Sequence, residues 1–133
     1  MISLDTNLVV RLVMKDDPAQ MKRVARVIEE AEAQQEECLL TDVVLCELEW
    51  VLGSVFNVPR RKILNAVQTL MAEPLFQPES FSRLQRALDA YSQGKGDLSD
   101  YLLGEAASGL GARTTFTFDK ALQRHPAFTV LRS

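Results

Sequence analysis

The sequence predicts an α/β protein, a single domain of three layers with helices on both faces of a central, mainly parallel sheet of about five strands. Three observations carry this. Short apolar runs bounded by turn residues alternate with helix-period patterns from end to end. Strands separated in this way by helices need crossover connections, which make a parallel sheet with both faces covered. No internal repeat, low-complexity tract or linker interrupts the pattern, and 133 residues is the length of one domain, here 1–133.

The elements follow in order. Residues 2–4 are a short apolar run ending at Asp5, the pattern of a buried strand followed by a turn. Val9, Val10, Leu12 and Val13 suit a short helix. Asp17-Pro18 opens the next, with an N-cap carboxylate and proline at the first helical position. Met21, Val24, Ala25, Ile28 and Ala31 give that helix one apolar stripe. Residues 38–40 form the second strand, and Thr41 or Asp42 caps a helix over 43–56, apolar nearly all round and therefore expected deep in the core. A helix over 59–71 turns Ile63, Leu64, Val67 and Leu70 inward. Residues 75–77 read as a strand, and Ser80 caps a helix carrying Phe81, Leu84, Leu88 and Tyr91. Gly94-Lys95-Gly96 breaks it, and Asp97 opens another helix. The tail reads as strand (114–117), short helix (119–124) and strand (128–131).

Composition removes several function classes. The chain is 47% hydrophobic and 25% charged, which describes an ordinary globular protein, and its net charge of −3 argues against a broad basic surface that coats nucleic acid. Cys38 and Cys46 form no CxxC pair, and the only histidine is His125, so neither a multi-histidine zinc site nor an HExxH helix can be built. No window approaches a membrane span or a signal peptide, so a cytoplasmic location away from membranes is expected. Gly94-Lys95-Gly96 lacks the spacing of a phosphate loop.

Ligands of parallel sheets bind at the carboxyl ends of the strands. Asp5 directly follows the first strand and Asp119 the fourth. Asp97 and Asp100 are three residues apart in one helix turn and share a face. Glu47 falls near the apolar stripe of Val44, Leu48, Val51 and Val55, where an ionised group is costly unless paired or bound to metal. Spacing alone hardly separates it from Glu49. Each acid also has a plainer reading, as turn residue or helix cap. Their convergence points to a hard cation such as Mg²⁺ or Mn²⁺, which takes carboxylate oxygens.

These residues carry a resemblance. The segments ISLDTN, LLTDVVLCELEWVL, GDLSDYLLGEAA and TFTFDKAL, in this order, resemble the four acidic motifs of the PIN-domain ribonucleases, and among them the VapC toxins of type II toxin–antitoxin pairs. The likeness covers nearly the whole chain and implies a single PIN-like α/β/α domain. It implies that Asp5 is the first acid and Glu47 the second, in preference to Glu49. Asp100 is then the third, Asp97 an auxiliary acid one turn earlier, and Asp119 the fourth. Thr6 and Asn7 complete the first motif, and Thr117 supports the last.

The resemblance further implies endonucleolytic hydrolysis of RNA with one or two Mg²⁺ or Mn²⁺ ions, leaving a 5′-phosphate and a 3′-hydroxyl. Asp5 and Asp100 are expected as main metal ligands, with Glu47, Asp97 and Asp119 as further ones. RNA contacts are expected from Arg60, Arg61 and Lys62, the densest basic cluster, and from Lys95 and Lys120; Arg11 and Lys15 lie close to the first motif. His125 reads as a surface residue and Trp50 as core or interface. The implied partners are a second copy of the chain and a cognate antitoxin whose extended segment covers the acids. Two other classes compete. One is a PIN-like module that binds RNA or protein without cutting. The other is a Mg²⁺-dependent phosphoryl-transfer domain, disfavoured because position 7 is Asn and Asp5 stands alone.

Overall fold

β1 (Ile2–Ser3) gives way to α1 (Thr6–Met14) because Asp5 between them is an N-cap: its backbone is extended and its carboxylate accepts the Thr6 N–H. The helix thus starts three residues earlier than its apolar pattern implies. Residues 1–132 are described by this computed structural model. They divide into two units, Met1–Glu79 and the segment from Ser80 onward.

In the first unit, α2 (Pro18–Ala33) begins as expected, with Asp17 capping Gln20 N–H and Pro18 in the first turn. β2 (Cys38–Leu40) leads into α3 (Asp42–Ser54), capped by the Thr41 hydroxyl at Val44 N–H. α4 (Arg60–Ala72) follows Pro59 and returns the chain to β3 (Phe76–Pro78). The three strands are parallel in the order β1-β2-β3, in register Ile2↔Cys38 and Cys38↔Phe76. Each crossover is a helix pair, and α1 packs on both α2 and α3 while α3 packs on α4. Leu4, Val9, Val10, Cys38, Leu40, Leu45, Leu48, Leu52 and Val67 are buried. Strand-end carboxylates are therefore carried on a rigid apolar base.

The second unit pairs α5 (Phe81–Gln93), capped by Ser80 at Arg83 N–H, with α6 (Leu98–Gly109). Leu84, Leu88, Tyr91, Leu98, Tyr101 and Leu102 are its buried apolar residues. β4 (Thr115–Thr117) and β5 (Phe128–Val130) form a parallel pair joined through a single 3₁₀ turn, Lys120–Leu122. All five expected strands exist and all pair in parallel, as ladders of three and of two strands. The short helix expected over 119–124 is only that 3₁₀ turn, and the third strand lies one residue later than the apolar run.

One expectation fails in α3. The helix is not deeply packed all round: Val43 is 66% exposed and Trp50 61%, with Glu47 beside them. Leu45, Leu48 and Leu52 take the inward face, and a helix has only one such face to bury against neighbours. Apolar composition does not by itself decide burial, since apolar atoms also make up much of any protein surface.

Candidate active site

Within the first unit, the motif Leu4-Asp5-Thr6-Asn7 spans the carboxyl end of β1 and the first turn of α1. Thr6 organises it. Its backbone N–H donates to Asp5 Oδ1 at 2.7 Å, and its hydroxyl donates to Glu47 Oε1 at 2.9 Å. One buried threonine therefore orients the carboxylate of its neighbour Asp5 and that of Glu47, 41 positions further along the chain. Asn7, like Asp5, is exposed.

The choice between Glu47 and Glu49 acquires a physical basis here. Glu47 was expected beside the apolar stripe; it is instead the exposed acid, on the side of α3 that meets Thr6. Glu49 is the buried one, 9% exposed. Adjacent odd positions on a helix differ in direction by about 200°, so one of the two had to point inward. The inward acid is engaged in interactions of its own.

In the second unit, Asp97 is the N-cap of α6, and its backbone N–H donates to Asp100 Oδ2 at 2.9 Å. Asp100 therefore sits against the positive end of the helix, in the first turn. Its pKa is nevertheless raised above the ordinary aspartate value. Burial is the largest cause, and the charges of Asp97 and Asp119 push the same way, while the hydrogen bond from Asp97 opposes them. Three carboxylates thus interact around Asp100. Asp119 is fixed from both sides: its N–H donates to Thr117 Oγ1 at 3.1 Å, and its Oδ1 accepts from Ala121 N–H at 2.9 Å, capping the 3₁₀ turn.

The basic residues divide. Arg61 and Lys62 are exposed in the first turn of α4, whose N-cap position is Pro59 and offers no side-chain cap. Arg60 is partly covered and already engaged. Arg11 makes an ion pair with Asp16 at 2.6 Å, and its guanidinium lies over the Phe56 ring. Lys95 and Lys120 are exposed in the second unit, away in sequence from the α4 cluster. His125 is not the surface residue expected. Its side chain is 14% exposed, lies between the Tyr101 and Phe128 rings, and faces Glu105. No periodicity marks it, because it follows the 3₁₀ turn in irregular chain. Tyr101 and Arg124 also escaped sequence reasoning, the first by blending into the apolar face of α6.

The donor set is oxygen-only and suits a hard divalent cation, and a cation near Asp100 would offset the burial and, secondarily, the like charges that raise its pKa. Among the described residues, no group of three or more His, Cys, Asp or Glu side chains is already gathered tightly enough to hold a metal ion.

Each unit thus carries carboxylates after a parallel strand or on a neighbouring helix: Asp5 and Glu47 in the first, Asp97, Asp100 and Asp119 in the second. A family profile for the PIN domain matches residues 2–127, and the chain belongs to the PIN domain family, whose members are generally nucleases using divalent metal ions. The VapC ribonuclease of Aquifex aeolicus (strain VF5) is 22% identical over 121 residues, 91% of this chain and 89% of that protein. No solved structure is a significant match.

Proposed function

We propose that this PIN domain is the toxin of a type II toxin–antitoxin pair, a Mg²⁺- or Mn²⁺-dependent endoribonuclease. In this reading the chain acts as one domain, and Asp5, Glu47, Asp97, Asp100 and Asp119 serve one reaction. The observation that carries it is geometric: helix and turn caps hold Asp97, Asp100 and Asp119 within one unit, in a chain of a nuclease family. The name borne by the Aquifex relative, a VapC ribonuclease, supports RNA as the substrate, and the antitoxin partner follows from the resemblance to the VapC toxins.

Asp5 and Asp100 would be the main ligands of the ion, with Glu47, Asp97 and Asp119 completing its surroundings. When bound, such an ion supplies Lewis-acid stabilisation of the charge that grows on the phosphodiester and lowers the pKa of the attacking water. The protein's own residues do the rest. Thr6 holds Asp5 and Glu47 in fixed orientation, and exposed Glu47 would help orient the attacking water. Thr117 and the 3₁₀ turn hold Asp119. Attack by water leaves a 5′-phosphate and a 3′-hydroxyl. Arg61, Lys62, Lys95 and Lys120 would contact the RNA.

A homodimer is part of this reading. No helix among the described residues is long and apolar enough to cross a membrane. The deciding experiment incubates the purified protein with end-labelled RNA and Mg²⁺, with and without EDTA, beside Asp5→Asn and Asp100→Asn. Cleavage by the wild type alone, lost on chelation, is expected. Undiminished cleavage in either variant refutes the site, and RNA retention without any cleavage makes the protein a non-catalytic PIN-like module.

A further inference from the structure

Some acid-centred nucleases must admit a polyanion to a negative site, and this chain carries a net charge of −3. Setting the five site acids aside from its 18 Asp and Glu leaves 13 against 15 Lys and Arg, so the surplus of acid is partly local to the site. Something has to offset the repulsion of incoming phosphates. A cavity of about 700 Å³ in the second unit has the required chemistry. Its walls include Lys95, Lys120, Arg124, Tyr101 and His125, and no Asp or Glu among the described residues lines it.

We propose that this cavity is a phosphate-binding groove that holds the backbone of single-stranded RNA beside the scissile bond. The identity of the ligand rests on the ribonuclease reading; the groove itself rests on the following geometry.

The three cations are exposed, and none makes an ion pair or a side-chain hydrogen bond among the described residues. Other cations are spent within the fold: Arg86 is tied to Glu105 at 2.7 Å and Arg11 to Asp16. Free guanidinium and ammonium groups converging on a concave surface are suited to phosphate oxygens.

The groove is also rigid where it needs to be. The Gly96 N–H donates to the Tyr101 hydroxyl at 3.0 Å. The Gly94-Lys95-Gly96 turn lies so close to this ring that a Cβ at Gly94 would collide with the Tyr101 hydroxyl, and one at Gly96 would come within 2.6 Å of Leu122. Only glycines allow that approach, and it sets Lys95 at the wall. Buried Leu122 anchors the opposite 3₁₀ turn, which carries Lys120. His125 Nδ1 accepts the Ala127 N–H at 3.1 Å, which fixes its ring against Tyr101. That leaves the Nε2 proton directed outward or towards Glu105.

Position in the chain links the groove to the reaction. Lys95 precedes the cap of α6 by two residues, and Lys120 directly follows Asp119. A strand whose phosphates lie along Lys95, Lys120 and Arg124 is delivered to the acids of the same unit. Such contacts position the strand without reading its sequence.

The test measures binding of a fluorescent single-stranded RNA roughly a dozen nucleotides long, within the span such grooves cover. Full-length protein is used in EDTA, so that nothing is cut, over a series of salt concentrations. The wild type should bind with an affinity that falls as salt rises. Lys95→Ala/Arg124→Ala should bind about tenfold or more weakly, with the log–log salt slope reduced by about 0.7 per lost contact. Lys95→Arg/Arg124→Lys should restore the slope, because charge and not shape is being read. An unchanged slope and affinity in a folded double-alanine variant overturns the groove, as does a wild type that binds no RNA at low salt. Competition by inorganic phosphate as effective as by RNA, phosphate for phosphate, overturns the polymer as its ligand. The two readings separate cleanly. RNA binding with the expected slope but no cleavage in Mg²⁺ refutes the nuclease and leaves the groove; cleavage with unchanged slopes does the reverse.

Discussion

The Thr6 hydroxyl donates to Glu47 Oε1 at 2.9 Å while the Thr6 N–H donates to Asp5 Oδ1 at 2.7 Å, so one side chain and its own backbone fix two acids from distant segments. Thr6→Val keeps the shape and the backbone bond but removes the hydroxyl. The expected loss of stability is about 1 kcal/mol, the net worth of an ordinary hydrogen bond, because exposed Glu47 can turn to water. RNA cleavage should fall further, by about tenfold to a hundredfold, since Glu47 loses its orientation. Thr6→Ser should restore both. Urea unfolding and single-turnover cleavage measure the two effects; equal losses of each would make the bond merely structural.

Asp100→Asn should make the metal-free protein more stable at neutral pH. The raised pKa means that ionised Asp100 is less favourable in the folded chain than in the unfolded one, so stability falls as pH rises through the ordinary aspartate pKa, and the cost is complete above the folded pKa. The asparagine oxygen can still accept the Asp97 N–H. The advantage of the variant should shrink as pH falls through the folded pKa and vanish below the ordinary aspartate range, where the wild type is protonated in both states. Thermal melts in EDTA across acid to neutral pH check this, and a lower melting temperature for the variant at neutral pH contradicts it.

Cys38 and Cys46 should react very differently with iodoacetamide. Cys38 is fully buried, and burial first, then Glu36 and Glu32, push its thiol pKa up. Cys46 is partly exposed on α3. Because the thiolate is the nucleophile, Cys38 should be alkylated slower by on the order of tenfold or more in the native protein. Mass spectrometry of peptides after timed quenching gives both rates, and denaturant should equalise them.

Gly104→Ala and Gly109→Ala should move stability in opposite directions although both lie in α6. A Cβ at position 104 would come within 2.6 Å of the Phe128 ring, whereas nothing lies within 4 Å of one at 109. Alanine's helix preference is worth up to about 1 kcal/mol at either site. Overpacking at 104 costs about 1–3 kcal/mol, so that variant should be the less stable, and Gly109→Ala neutral or stabilised. Denaturant midpoints of the two variants decide it.

Much of the fold was legible because it is written locally. Asp17-Pro18, Thr41 and Ser80 announce helix starts by chemistry that acts within one turn, and all three cap as their types predict. The candidate acids were legible for the same reason, since strand ends and first turns are sequence-local positions. What local signals left open was direction. Glu47 and Glu49 are equivalent by composition, and only the packing of α3 turns one outward to Thr6 and the other inward. The same packing exposes Val43 and Trp50, which an apolar count placed in the core.

The sequence by itself determined an α/β chain of five parallel strands, its helix caps, and the four segments that carry acids. Tertiary structure decided what those segments do to one another. It made Thr6 the link between Asp5 and Glu47, raised the pKa of Asp100, and drew His125 and Tyr101 under a groove that spacing could not reveal. The physical reason is range: capping and periodicity act over a few residues, whereas desolvation, charge repulsion and steric contact depend on which distant side chains folding brings within a few ångströms.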